Sequence, residues 1–324
     1  MTVQADPITA EHERWQQPGK ELQWSDSLYF GGGDGRGLAF YSRIGRRPNE
    51  QAIEGALGVW LPEQGFLLSF ARGSNPGTEP SRDNRPISCG AVTFECVEPL
   101  RAWRLCFDGA GRLFERAEHV STRRGAYREV EVNGELAFAA WGNPLSFQSG
   151  LSNPVAAAHY EQPGSISGAI TVDGQRRPLS GRGMRDHSWG VRDWQRVPYW
   201  RWFGFVADPE NFLMLNNVGL DDGSETAGGF LMRDGVVAPI VSGETESELD
   251  PQLGCQRSFR ARARDEHGRE TLLEGRAIEV APLRQRRDGR LTLVNEALTA
   301  YRWEGRTGLG ISEYLIQRQG DQPR

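Results

Sequence analysis

The chain has 324 residues, a net charge of −5 and an ordinary share of apolar and charged residues. That length suits two domains or one large β domain, and the mild charge speaks against a nucleic-acid or anionic-membrane partner. Of its 38 basic residues only Lys20 is lysine, so Schiff-base and phosphate-loop chemistry have no candidate beyond the N-terminal region.

In chain order, MTVQADPITAEHERW lacks the basic start and apolar core of a signal peptide. Cys89, Cys96, Cys106 and Cys255 form no CxxC pair and no dense framework, which favours a reducing compartment. A cytoplasmic protein is expected. Short helices are expected in the first dozen residues and in part of 146–158. From Trp24 onward the chain reads as strands separated by turns. FLLSFARG and AVTFECVEPL are short apolar runs, and RAWRLCFDGAGRLFERAEHV places DGAG between two alternating segments. ISGAITVDGQ, GGFLMRDGVVAPIV and RRDGRLTLVNEAL repeat the arrangement around Asp-Gly pairs, a strong hairpin signal. Residues 72–90 read as a long loop. The uncharged stretch 136–160 is broken by two Asn-Pro pairs, so no stable membrane insertion is expected. Its turn-rich end marks a domain connection near residue 160. The expected architecture is all-β, with domains at 1–160 and 161–324.

Several catalytic machines are missing from the sequence. GGGDGRG (31–37) has its glycines at the wrong offsets for a dinucleotide site, and no GxxxxGK[ST], HExxH or GxSxG occurs. His12, His119, His159, His187 and His267 show no paired metal spacing. The expectation is no metal and no organic cofactor.

The densest chemistry lies in GRGMRDHSWGVRDWQRVPYWRWFGF (181–205). In an extended strand Arg185, His187 and Trp189 share one face and Asp186 takes the other. A histidine among aromatics has the composition of a pocket and can exchange protons near neutral pH. His187 is therefore expected to face a cavity beside Trp189, and Asp186 to brace the outer wall or supply an acid. Arg–Asp pairs and tryptophans also lock β elements together without any further role. Further on, Tyr199 and Arg201 alternate with Trp200 and Trp202, giving one face with polar anchors and one with indoles. Asn216 or Asn217 in FLMLNNVGL is a candidate ligand contact. Glu313 is a spare carboxylate, of a kind that more often lies solvated on a strand.

The run G-x-G-x-R-D-H-S-W-G at 181–190, with the aromatic strand after it, resembles the AttH-like lipocalin family. WSDSLYFGGGD, RPNE and WEGRTGLGISEYL support the likeness. That group is related to carotenoid hydratases of the hydroxyneurosporene-synthase type and to lipocalin-like natural-product cyclases. The resemblance implies two consecutive lipocalin-like β-barrel or sandwich domains, small lipophilic ligands and no organic cofactor. In the carotenoid hydratases an H-x-W pair works with a Tyr and an Asp on the following strand. His187 and Trp189 match the pair, but the following strand reads Met214-Leu215-Asn216-Asn217, without a carboxylate. Either another acid serves, with Asp186 and Glu313 the candidates, or the chemistry differs, or the protein only binds.

Two functional readings follow. The first is a cofactor-independent hydratase, lyase, isomerase or cyclase acting on an isoprenoid, steroid or polyketide. Its catalytic residues would be His187, Asp186 and Tyr199, and its substrate contacts Arg185, Trp189, Trp200, Arg201, Trp202 and Asn216. The second is a non-catalytic carrier of such a compound. A homodimer is compatible with either.

Overall fold

The computed structural model describes residues 7–74, 85–121, 126–146, 158–287, 289–319 and 322–323. The chain forms two compact units, one made of 1–115 and 127–193, the other of 116–126 and 194–324. The expected helix near the N-terminus is a single 3-10 turn, Ala10–Glu13. The helix expected in 146–158 falls almost wholly outside the described residues, as does the middle of the loop at 72–90.

The first unit holds β1 (Trp24–Gly33), β2 (Ala39–Arg47), β3 (Ala52–Leu61), β4 (Gly65–Ser74), β5 (Ile87–Cys89), β6 (Val92–Glu98), β7 (Ala102–Phe114), β8 (Tyr127–Ala140), β9 (Leu145–Ser146), β10 (Ala158–Val172) and β11 (Gln175–Val191). The order β4-β3-β2-β1-β11-β10-β8-β7 returns on itself where β7 pairs with β4, so the sheet is a closed barrel. DGAG is no turn: β7 runs straight through it. Gly111 comes so close to β4 that a Cβ would lie 2.7 Å from Leu67. Glycine here lets one strand leave β6 and meet β4, the usual means of turning a barrel corner. By contrast Asp173-Gly174 closes the β10–β11 hairpin with φ of 53° and 74°, both in the left-handed region that a two-residue hairpin turn requires.

Residue 160 is no boundary. It lies inside β10, where Tyr160 pairs with His187 of β11. The 158–191 hairpin completes the first barrel between β8 and β1, and the chain leaves that unit only between Asp193 and Trp194. The turn-rich passage before 160 is a connection within one barrel.

The second unit holds β12 (Tyr199–Asp208), β13 (Asn211–Gly219), β14 (Glu225–Arg233), β15 (Val236–Leu249), β16 (Gln256–Asp265), β17 (Glu270–Arg287), β18 (Arg290–Trp303) and β19 (Arg306–Gln319). Consecutive strands pair antiparallel, and β12 pairs with β19 to close a second barrel. Period-two alternation sends Phe203, Phe205, Leu213, Leu215, Tyr301 and Trp303 inward. In the first barrel Leu28, Phe30, Phe40, Ile44, Leu105 and Phe138 do the same. Fully burying such a side chain contributes about 1.5–3 kcal/mol, so both interiors are packed apolar cores. No helix among the described residues is long and apolar enough to cross a membrane.

Candidate functional site

The sequence run at 185–189 lies on β11, and its parity is as expected. Arg185 and His187 point into the first barrel in phase with Leu179, and Trp189 follows, its ring centroid 5.0 Å from that of His187. The space that His187 faces is filled from the N-terminal segment. His187 Nδ1 lies 2.7 Å from the carbonyl oxygen of His12, and Nε2 lies 2.7 Å from Asp26 Oδ1. A carbonyl can only accept, so Nδ1 carries hydrogen. Asp26, in phase with Leu28 and Phe30 on β1, also accepts the Gln16 backbone N–H at 2.7 Å and lies 3.5 Å from Arg46.

Beside it, Glu13 reaches into the same barrel end and is 2% exposed. Its carboxylate accepts from Arg185 Nη2 at 2.8 Å, Trp103 Nε1 at 2.9 Å, the Leu100 backbone N–H at 3.1 Å and the Tyr160 hydroxyl. Burial alone would push the Glu13 carboxyl up. The Arg185 charge and these bonds outweigh it and hold the group below its ordinary value. Arg185 also donates to Gln162 Oε1. His12 stacks on Trp189 at 5.5 Å, and Arg46 lies over Trp15 at 5.0 Å. The residues expected to line a cavity thus form a buried hydrogen-bonded network that fastens the N-terminal segment into the barrel. His187 is 0% exposed.

Asp186 points to the outer side, as expected. It stands directly opposite Glu161 on one neighbouring strand and Tyr29 on the other, with Arg43 next in the row.

The remaining sequence candidates belong to the second unit and divide between the two faces of its wall. Tyr199 and Arg201 share the inward parity of Phe203. Tyr199 donates its hydroxyl to Glu225 Oε1 at 2.6 Å, and Arg201 Nη1 donates to Glu225 Oε1 and the Thr245 carbonyl, each at 2.9 Å. Burial and the bond to Glu225 push the Tyr199 hydroxyl up to about 12, so at neutral pH it keeps its proton and serves Glu225 as a hydrogen-bond donor. Asn217, not Asn216, turns inward here and accepts from Thr245 Oγ1 at 2.7 Å.

The outer face carries Trp200, Trp202, Asn216 and Glu313 together. Directly paired residues project to the same side of a sheet, and the register makes one continuous row: Asn216 opposite Trp202, Trp202 opposite Glu313, Glu313 opposite Glu296. Trp200, one step along β12, donates its indole N–H to Glu313 Oε1 at 2.5 Å. On one side of this polar row run Phe230, Met214, Ile311 and Leu298; on the other run Val218, Trp200, Leu315 and Val294. All eight are buried. At the β14 end, Gly228 stands opposite Asn216, and a Cβ there would meet nothing within 4 Å. Two carboxylates and an amide thus lie in line between apolar rows, with an indole N–H fixing one carboxylate. The strip is polar along its centre and apolar and buried along both flanks.

Sequence reasoning missed Glu296, Glu13 and Asp26. Each carried a faint signal of phase: Asp26 alternates with Leu28 and Phe30, and Glu296 with Val294 and Leu298.

Fold and site define a chain of two closed lipocalin-like barrels. A family model covers residues 9–318, and the chain belongs to that family, described as domain of unknown function DUF7064. None of the curated proteins matches it. Among solved structures it is similar to an AttH-type protein from Nitrosomonas europaea, with 14% identity, TM-score 0.62, and coverage of 91% of this chain and 93% of that one. It is also similar to CghA solved with Sch210972 (12%, TM-score 0.63, 92% and 90%). Kievitone hydratase from Nectria haematococca is a third (12%, TM-score 0.57, 96% and 93%). At these identities the likeness is one of fold.

Proposed function

We propose that the chain is an enzyme of the hydratase or cyclase type, performing acid–base chemistry on a lipophilic small molecule at the Asn216–Trp202–Glu313–Glu296 row. The observation that carries this reading is the placement of two carboxylates directly opposite each other on adjacent strands, one of them held by an indole N–H. Like charges so placed cost stability, and such pairs are used as acid and base partners. In a hydration, one carboxyl gives its proton to an alkene carbon, water adds to the cation, and the other carboxylate takes the proton that water loses. Trp200 and Trp202 supply flat apolar area against an unsaturated skeleton. Fold likeness to an enzyme named as a hydratase supports this reading by analogy only.

His187 takes a positioning role in this proposal. It anchors the N-terminal segment, and Tyr199 steadies Arg201 through Glu225. The test starts from the compounds that the purified chain retains, identified by mass spectrometry. Wild type and Glu313→Gln are then incubated with each compound in deuterated water. Loss of a general acid–base group slows turnover by about 10²–10⁴-fold, so Glu313→Gln should bind the compound and fail to convert it. Equal conversion by both removes the row from the chemistry. A tightly retained compound that wild type leaves unchanged makes the chain a carrier.

A further inference from the structure

The ladder between β16 and β17 ends at Ser258 opposite Arg276, yet β17 continues to Arg287 with β18 alone on its other side. The wall of the second barrel therefore parts, at the place where β17 carries a bulge between Ala277 and Glu279. Bulges are concentrated where a strand must stop pairing or re-aim a side chain. The gap is a cleft of about 390 Å³, bounded by Asp250–Ser258, by Arg276–Val280 and by Glu118 of the 3-10 turn Ala117–Ser121. That volume is within the range of small-molecule sites.

Its lining is rich in hydrogen-bond acceptors. Gln256 is 1% exposed and lines the cleft, with its amide nitrogen spent on the Asn295 and Ser312 carbonyls at 3.1 and 3.2 Å. Its Oε1 is buried without a hydrogen-bond partner, a state that costs about 1–3 kcal/mol unless a donor arrives. Glu279 and Glu118 both line the same space, and burial followed by the Glu118 charge pushes the Glu279 carboxyl up. Arg276 lines the cleft from an exposed position; of the other nearby arginines, Arg257 is tied to Asp250 at 2.7 Å and Arg116 to Glu118 at 2.9 Å. A bound group offering N–H donors and positive charge would satisfy Gln256 Oε1 and relieve the Glu118–Glu279 repulsion together. Among the described residues no set of three or more His, Cys, Asp or Glu side chains converges as metal ligands, which favours an organic cation over a metal ion.

We propose that this gap in the second barrel is a binding site for a small organic amine, separate from the carboxylate row. The probe is 1,5-diaminopentane, titrated calorimetrically into the full chain, with 1,5-pentanediol and magnesium chloride as matched controls. Saturable binding of the diamine, at least about tenfold tighter than either control, is expected. Glu279→Gln and Glu118→Gln should each weaken it by about tenfold or more, with circular dichroism and melting confirming that both variants fold. Glu313→Gln should bind the diamine as wild type does. No saturable heat from the diamine overturns the proposal, and so does equal binding of the diol. Diamine affinity unchanged in both cleft variants, or tighter magnesium binding, overturns it as well.

Discussion

His187 and Asp26 meet across adjacent strands with 2.7 Å between Nε2 and Oδ1, and neither side chain reaches solvent. Asp26 also faces the buried Arg46 guanidinium at 3.5 Å, and breaking a buried ion pair by removing one partner costs about 3–5 kcal/mol. Asp26→Ala should lower the unfolding free energy by that amount in urea denaturation. It should also expose the N-terminal segment to proteolysis, because the Gln16 backbone N–H and Arg46 lose the same acceptor.

Glu13 sets an acid limit on stability. Its carboxyl is held below the ordinary value of 4.5 in the folded chain. The stabilisation it gives is therefore fully present above the unfolded value and is lost as pH falls through the lower folded one. Glu13→Gln should remove this part of the acid dependence. Melting temperature followed from pH 7 downward should fall less steeply for the variant below about pH 4.5, from a lower starting stability at neutral pH because Arg185 loses its charged partner.

Glu313→Gln should behave in the opposite sense from a structural mutation. Glutamine keeps an oxygen for the Trp200 indole N–H and removes one of two like charges standing opposite each other. Like charges directly opposite each other on adjacent strands are destabilising. The variant should be as stable as wild type or slightly more so in chemical denaturation. A clear loss of stability would show that the pair is a structural strut.

The cysteines should be nearly silent to thiol reagents in the folded chain. Cys89, Cys96 and Cys255 are buried, and burial, reinforced by Glu13 in one case and Asp250 in the other, pushes the Cys96 and Cys255 thiols up to about 12. Thiolate is the reactive form. Only the half-buried Cys106 should label at neutral pH, slowly, with the other three appearing after denaturation.

Strand positions were legible because Asp-Gly pairs at 173–174 and 234–235 need left-handed backbone that few other residues accept. DGAG misled for the same reason: the composition that makes a turn also makes a barrel corner, and only the strand on the far side tells them apart. Parity placed Arg185, His187 and Trp189 on one face, and placed Trp200 and Trp202 on another. What parity cannot supply is the partner across the barrel. Nothing in AEHERW marks Glu13 as the carboxylate that meets Arg185, 172 positions away. Glu313 stood in the sequence as one of two candidate acids, beside Asp186, and only the register set it opposite Glu296.

Residues 116–126 belong to the second unit although 127–193 return to the first. The chain therefore crosses between the units three times, and the 3-10 turn Ala117–Ser121 packs on β17, which begins about 150 residues later in the chain. During synthesis at roughly 5–20 residues per second, this turn leaves the ribosome many seconds before its partner strand exists. The first barrel must close around a displaced segment that has nowhere yet to dock. The two halves are thus stitched rather than strung. A cut between Asp193 and Trp194 would not yield two independent pieces: the C-terminal fragment would keep the strands of its barrel but lose residues 116–126, and with them the turn that packs on β17.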